Sequence, residues 1–351
     1  MKILYYKEPK SALGGVNNVA YYLSRAMAEK ADVTYFPQTM TARNGSAIFE
    51  IYKKYVKKQF DVIQFNTVPM GIDGSYILIK FAKTMGIKTF LNIHGIIPLE
   101  HKLDPKLGSI SRSDLFLVLT SCKLADKIIV NTEFMRNRVV AWYGVGLDKL
   151  VVIPNGINIR EFSECDDRIT LDGSPAILAV GYFSRLKGFD LLIEAVAKLR
   201  SKLPNIKLHV VGSGYEGYLN LLKEKGIENF VVFHGMVDHS KVCSYLKSAD
   251  IFIMPSRHEG FPITLLEAMS SGIPVIASNI GSLKEIISDG KDGILFQTEN
   301  TEELANSILM LSANEDLRKR ISHEALKTAA KYDWKNVSEK YLTLYKSPTT
   351  N

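Results

Sequence analysis

Cysteine is scarce in this chain of 351 residues, with three in all. Cys122, Cys165 and Cys243 lie far apart and show no C-x-x-C spacing, so neither a disulfide framework nor a zinc site is signalled, and buried free thiols are expected. Long hydrophobic runs are missing as well. An apolar stretch such as Leu115–Leu119 stops after five residues, well short of the roughly 20 that a membrane-spanning helix needs. The N-terminus leads from Met1 into the strand-like Ile3–Tyr6 without the charged, apolar and small-residue zones of a signal peptide, so the expected location is the cytoplasm. Low-complexity tracts and short-period repeats are absent, which argues against linkers and repeat architectures. Lys and Arg number 44 against 37 Asp and Glu, a net charge of +7. An excess of that size favours anionic partners, phosphates or an acidic membrane surface. No RNA- or DNA-binding motif accompanies it, so nucleic acid is not an expected partner.

What is present is a repeated alternation of short apolar strands with helix-period segments, the pattern of parallel sheets with crossover helices. The length suits two domains of about 150 to 180 residues each. Strands are expected at Ile3–Tyr6, Val33–Phe36, Val62–Phe65, Thr89–Ile93 and Lys127–Val130, with a helix over about Val16–Glu29. A Pro154–Gly156 cluster and a polar stretch through Asp166, Asp167 and Asp172 mark a boundary. A second series follows at Ile177–Val180, Lys207–Val211, Phe230–Phe233, Ile251–Met254, Val275–Ala277 and Ile294–Phe296. The reading is an α/β chain of two facing Rossmann-like domains, residues 1–157 and 158–334, with a cleft between them and a terminal helix over about 335–351 that packs back on the first domain. Open parallel sheets bind ligands outside the carboxyl ends of their strands.

The densest signal runs from Pro255 through Met269 and links a strand to a helix. Pro262 suits the first helical turn, where its missing N–H costs nothing, and Gly272 suits the C-terminal stop. The free amides of Ile263, Thr264 and Leu265 then form an anion site strengthened by the helix dipole, for which a diphosphate is the natural occupant. Carboxylates accept paired hydrogen bonds from vicinal hydroxyls, which suits Glu259 to a hexose and Glu267 to a ribose. The plainer reading of each alone is a solvated loop Glu and a helix-surface Glu.

Glu259, seven residues, then Glu267 within E-G-F-P-I-T-L-L-E-A resembles the E-x7-E signature of the retaining glycosyltransferases of family 4, which have the GT-B fold. Gly14-Gly15, His94-Gly95, Pro154-Asn155-Gly156-Ile157 and Lys187-Gly188-Phe189-Asp190 fall in the order and spacing that family shows. The resemblance implies that Glu259 contacts donor hexose hydroxyls, Glu267 the nucleotide ribose and Lys187 the diphosphate. It implies that Gly14 and Gly15 let the backbone approach the diphosphate and that His94 sits beside the transferred sugar. Gly260 and Phe261 count with the donor-binding segment, and the backbone near Met236 and Val237 would face the base. Independent physics agrees: glycines permit close approach and a lysine neutralises developing phosphate charge. For His94 the alternative is a packed histidine at a strand end. One departure stands out. In the family an arginine usually follows the glycine six residues before the phosphate lysine, and here Tyr182 follows Gly181. Arg185 reaches the phosphate instead, or the site has one cation fewer.

Gly212-Ser213-Gly214-Tyr215-Glu216-Gly217 matches G-x-G-x-x-G, but the acid that should follow the next strand is misplaced at Asp238, which argues against a dinucleotide. No D-x-D sequence occurs, which argues against metal-dependent glycosyltransferases; neither metal nor cofactor is expected. The expected function is retaining transfer of a hexose from a UDP-glucose-type or GDP-mannose-type donor to a glycan or lipid-linked acceptor, in cell-surface polysaccharide, N-glycan or glycolipid synthesis. The alternatives are a sugar-nucleotide epimerase of the same fold and a non-catalytic glycan-binding partner subunit. Ile48–Phe60, with Lys53, Lys54, Lys57 and Lys58 beside an apolar stripe, reads either as a crossover helix or as a peripheral contact with an anionic membrane at the inner face of the cell membrane.

Overall fold

The computed structural model describes residues 1–6, 15–35, 60–66, 75–104 and 110–348. The Ile48–Phe60 segment lies outside these except for Phe60, which is buried. The chain divides into two units, one formed by Met1–Gly156 with Trp334–Asn351 and the other by Ile157–Asp333.

In the first unit the β-branched and aromatic runs form six parallel strands: β1 Lys2–Tyr6, β2 Asp32–Tyr35, β3 Val62–Phe65, β4 Lys88–Ile93, β5 Lys127–Val130 and β6 Leu150–Val152. Their order among the described residues is β2-β1-β3-β4-β5-β6. All four β3 residues are buried, as are the last five of β4. Continuous apolar strands are what a parallel sheet covered on both faces requires. The helix predicted from Val16 to Glu29 spans Gly15–Ala28. Strand β6 is an addition to the expected set. It has three residues, too few to show a period, and is defined by its pairing with β5, Ile128 opposite Leu150.

The terminal helix Trp334–Lys346 belongs to this first unit. Its Tyr341 hydroxyl accepts from Asn92 Nδ2 at 2.9 Å, and its Tyr345 hydroxyl donates to Gln64 Oε1 at 2.5 Å. Both partners sit on sheet strands, so the helix adds one hydrogen bond to each of two buried amides. Trp334 closes over Gly156, where a Cβ would come within 2.5 Å of the indole.

The second unit repeats the scheme with β7 Ala176–Tyr182, β8 Lys207–Ser213, β9 Val231–Gly235, β10 Ile251–Met254, β11 Val275–Ser278 and β12 Ile294–Phe296. All described pairings are parallel, in the order β12-β11-β10-β7-β8-β9. The chain thus builds outward from β7 to one edge, then returns to β10 and builds to the other. The place where the order reverses, between β7 and β10, is where an open parallel sheet leaves room for a ligand at the strand ends.

The expectation of free thiols holds for Cys122, which is buried, and fails for the other two: Cys165 and Cys243 form a disulfide, with Cα atoms 6.4 Å apart. They are 78 residues apart. Spacing in sequence is silent about a pair that meets only because the segment after residue 163 is laid along the helix His239–Ser248. No described helix is long and apolar enough to cross a membrane.

Candidate active site

Strands β7 and β10 are neighbours, with Ile177 opposite Ile251. Beyond β7 the chain makes a tight turn over Arg185–Lys187, and beyond β10 it runs through Pro255–Pro262 into the helix Ile263–Ser271. The two loops meet. Lys187 Nζ donates to Glu259 Oε1 at 2.7 Å, and Ser256 Oγ donates to the same oxygen at 2.7 Å. Glu259 is only 7% exposed. A carboxylate that far from water needs such compensation, and here it has one cation and one hydroxyl. The Lys187 side chain is 41% exposed, so the same ammonium also faces solvent. Glu259 Oε2 has no hydrogen-bond partner among the described residues.

Two features hold these loops in register. Gly188 closes the Lys187 turn with φ +65, and a Cβ there would sit 2.0 Å from the Pro255 carbonyl oxygen. Only glycine allows both the left-handed conformation and the approach. Arg257 then spans the junction. Its guanidinium donates to both Asp190 oxygens at 2.7 Å, to Glu299 Oε2 at 2.9 Å and to the Arg185 carbonyl at 2.8 Å, while its own amide donates to Leu186 O at 2.7 Å. The planar fork makes this geometry available to arginine and not to lysine. Glu299 is held at φ +71, a strained value for a residue with a side chain, and the Arg257 bonds are its anchor. Arg257→Ala is expected to lower unfolding free energy by about 2 kcal/mol, discounted from a buried pair because Glu299 is exposed. Urea midpoints of the wild type, Arg257→Ala and Arg257→Lys check this, with lysine restoring only part of the loss.

The helix Ile263–Ser271 begins one residue later than expected. Pro262 is its N-cap, at φ −80 and ψ 113, rather than its first helical residue, and no side chain caps this end. Phe261 before it is buried beside Tyr332, at 5.6 Å between ring centroids. The amides of Ile263, Thr264 and Leu265 are therefore the uncapped first turn, the place where an anion is stabilised. Gly272 ends the helix in the left-handed conformation, φ +73.

Glu267, in the second turn of that helix, is 5% exposed. Its Oε1 accepts from His239 Nε2 at 2.8 Å, and His239 Nδ1 lies 3.4 Å from Glu161 Oε1. Hydrogen bonds to Glu161 and Glu267 push the imidazole pKa up to about 10 against the cost of burial, so it is a cation at neutral pH. Sequence reasoning missed His239, Ser256, Arg257 and Glu299 as contributors. Ser256 and Arg257 lie inside the E-x7-E segment's approach, but nothing local says what they bind.

In the first unit, His94 directly follows β4. Its Nδ1 is 3.3 Å from Asn131 Nδ2, and its Nε2 is buried without a partner among the described residues. Burial lowers its pKa to about 4, so it is neutral at pH 7. An unfolded histidine takes up its proton near pH 6.5. Stability is therefore lost as pH falls from about 6.5 toward 4, by about 2–3 kcal/mol at pH 4.5 from this group alone. Denaturant midpoints at pH 7 and 4.5 test the sign: His94→Gln should lose less on acidification than the wild type.

The remaining expected residues are placed as follows. Gly14 lies outside the described residues, and Gly15 opens the helix Gly15–Ala28. Arg185 shares the turn with Lys187 and is exposed, but in a three-residue-per-turn geometry the two side chains leave about 120° apart. Tyr182 is 60% exposed and its ring lies over Gly214, where a Cβ would meet it at 3.0 Å. Gly260 is half-buried, Met236 is 80% exposed, and Val237 is half-buried. Gly212 has a role other than dinucleotide binding: a Cβ there would sit 1.8 Å from the Gly181 carbonyl oxygen across the β7–β8 pair.

Comparison with known proteins places the chain among glycosyltransferases of one fold. The family model described as Glycosyl transferases group 1 matches residues 166–328, and that of Glycosyltransferase Family 4 matches residues 13–161. The D-inositol 3-phosphate glycosyltransferase of Corynebacterium urealyticum is 30% identical over 244 residues, 64% of this chain and 58% of its own length. The chain thus spans about three fifths of the length of the curated relatives it matches. Among solved structures, sucrose-phosphate synthase from Thermosynechococcus elongatus shares the fold with a TM-score of 0.82 at 20% identity, covering 98% of each chain. Anabaena HepE in complex with UDP and glucose gives 0.77 at 20% identity, over 99% of this chain and 100% of that one.

Proposed function

Since this chain belongs to the glycosyltransferases of family 4 and group 1, with the two Rossmann-like units of the GT-B fold, we propose that it transfers a hexose from a nucleoside-diphosphate sugar to a hydroxyl-bearing acceptor, a glycan or lipid-linked sugar. The observation that carries the reading is the meeting of Lys187, Glu259 and the uncapped amides of Ile263–Leu265 at the reversal point of the second sheet. A cation and a helix start side by side suit a diphosphate, and a buried carboxylate with one oxygen unclaimed suits sugar hydroxyls. A UDP-glucose donor gains support from the HepE structures, which hold UDP, glucose and UDP-glucose.

In the proposed reaction the bond from the anomeric carbon to the phosphate oxygen breaks, the acceptor oxygen bonds to that carbon, and the acceptor proton passes to the departing diphosphate. Charge develops on the leaving oxygen, where Lys187 and the amides of Ile263, Thr264 and Leu265 stabilise it more than in the ground state. Glu259 holds the hexose, Glu267 the ribose, and the backbone at Met236 and Val237 the base. The resemblance assigns Gly14 and Gly15 to the diphosphate and His94, neutral at pH 7, to the hexose. Arg185 is the candidate second phosphate cation, since Tyr182 has none to offer. No side chain here is assigned as a covalent nucleophile, so attack from the face of departure, with retention, is proposed; a trapped glycosyl-enzyme would contradict it.

The test is release of nucleoside diphosphate from UDP- and GDP-hexoses with and without an added acceptor panel. Acceptor-dependent release with a glycosylated product supports transfer. Release of free sugar without any acceptor would favour the epimerase-type chemistry of the same fold instead.

A further inference from the structure

Around Glu267 stand two half-buried side chains that the donor reading does not use. Glu161, His239 and Glu267 form a line of three side chains from three separate elements: the short helix Ile159–Ser163, the helix His239–Ser248 and the helix Ile263–Ser271. We propose that His239 is a positioning residue for the nucleotide ribose, fixing the Glu267 carboxylate through Oε1 so that Oε2 is presented to the ribose hydroxyls. The inference rests on the reading that Glu267 meets the ribose.

The argument starts from what an isolated carboxylate does. A glutamate on a helix rotates broadly about its last torsion, and a ribose whose hydroxyls must donate well-aligned hydrogen bonds to it needs that rotation stopped. His239 stops it at one oxygen only. Nε2 donates to Oε1 at 2.8 Å, and no other hydrogen bond to the Glu267 carboxylate occurs among the described residues. Oε2 is left with its full accepting capacity. The imidazole is in turn fixed from behind, because Nδ1 lies 3.4 Å from Glu161 Oε1 and the ring stands edge-on to Phe162 at 5.9 Å between centroids.

The element that supplies Glu161 is itself tied down along the His239 helix. Lys247 Nζ donates to the Ser163 carbonyl at 3.1 Å, Ser244 Oγ to Asp167 Oδ2 at 2.8 Å, and the Ile169 amide to Ser248 Oγ at 2.9 Å. The Cys165–Cys243 disulfide joins the same two segments. A segment this firmly held gives His239 a rigid back wall, which is what a supporting residue needs if it is to orient another. The short helix also begins two residues after Ile157, whose amide donates to the Tyr332 carbonyl at 2.8 Å, so its start is anchored as well.

Two near-isosteric variants separate positioning from mere packing. Glutamine at 239 keeps an amide where Nε2 stood and still donates to Glu267. Asparagine keeps one only near Nδ1, on the Glu161 side, and leaves Glu267 without its donor. The measurement is calorimetric affinity for UDP and GDP against their 2′,3′-dideoxy forms, on wild type, His239→Gln and His239→Asn, with melting curves to establish that each is folded. The wild type is expected to prefer the ribose form about tenfold or more, as a site built to bond hydroxyls does. His239→Gln should keep most of that ratio, and His239→Asn should bring it to about unity. Equal ratios in folded wild type and His239→Asn would overturn the assignment. So would a wild type that binds the ribose and dideoxy forms alike, because Glu267 would then not be reading the hydroxyls. A wild type that binds neither nucleotide at all would instead remove the donor reading beneath it, and the assignment with it.

Discussion

Lys187→Ala is expected to lower transferase turnover about a hundred- to a thousand-fold, the loss seen when one preorganised group that stabilises transition-state charge is removed. The reasoning is electrostatic. The ammonium sits 2.7 Å from a carboxylate that is almost wholly buried, and it is still 41% exposed. In the free protein it balances Glu259; when the donor's diphosphate arrives it has a second anion to serve. Its contribution grows as the leaving group gains negative charge, so kcat and kcat/KM should fall together. Lys187→Arg keeps the charge but spreads it over a planar fork, and partial recovery is expected. Initial rates over a range of donor concentrations check this. A variant whose turnover stays within about threefold of wild type would contradict the role, since no transition-state interaction would have been lost.

Gly188→Ala should be almost as damaging, although it removes no chemical group. The residue follows the Lys187 turn at φ +65, and its missing Cβ would lie 2.0 Å from the Pro255 carbonyl oxygen. A side chain there incurs the left-handed backbone cost of about 1–2 kcal/mol. It also drives the Lys187 loop away from the loop that carries Glu259, a clash with backbone that no rotamer relieves. The expected result is a loss of stability of about 2–4 kcal/mol together with a drop in turnover of about a hundredfold from misplacement of Lys187. Chemical denaturation and steady-state rates on the same preparation separate the two effects. Gly290 is also at positive φ, but a Cβ added there would meet nothing within 4 Å, so Gly290→Ala serves as the control that carries backbone strain alone.

Much of this could be read along the chain because the relevant signals are local. Strand and helix periods are properties of short windows, and both sheets were foreshadowed by runs such as Val62–Phe65 and Ile251–Met254. The strand-to-helix segment around Glu259 and Glu267 is also continuous in sequence, as is the Lys187 turn. What escaped were facts made by the fold. Strand β6 exists through its pairing with β5. Cys165 and Cys243 meet only once one segment lies along another. His239 stands 28 residues before the glutamate it holds, and Arg257 finds Asp190 at a distance of 67 residues and Glu299 at 42. Pro262 shows a smaller version of the same limit. Its chemistry allows the N-cap or the first turn, and the fold holds it at the N-cap, with φ −80 and ψ 113.

The most direct test of the central claim is a calorimetric titration of UDP, GDP, ADP and NAD, followed by the matching sugar nucleotides, into the wild type and Glu259→Ala. The account predicts selective binding of one nucleoside diphosphate, a further gain from the attached hexose, and loss of that gain alone in the variant. Binding of NAD in place of any nucleoside diphosphate, or a hexose increment that survives in Glu259→Ala, would contradict it.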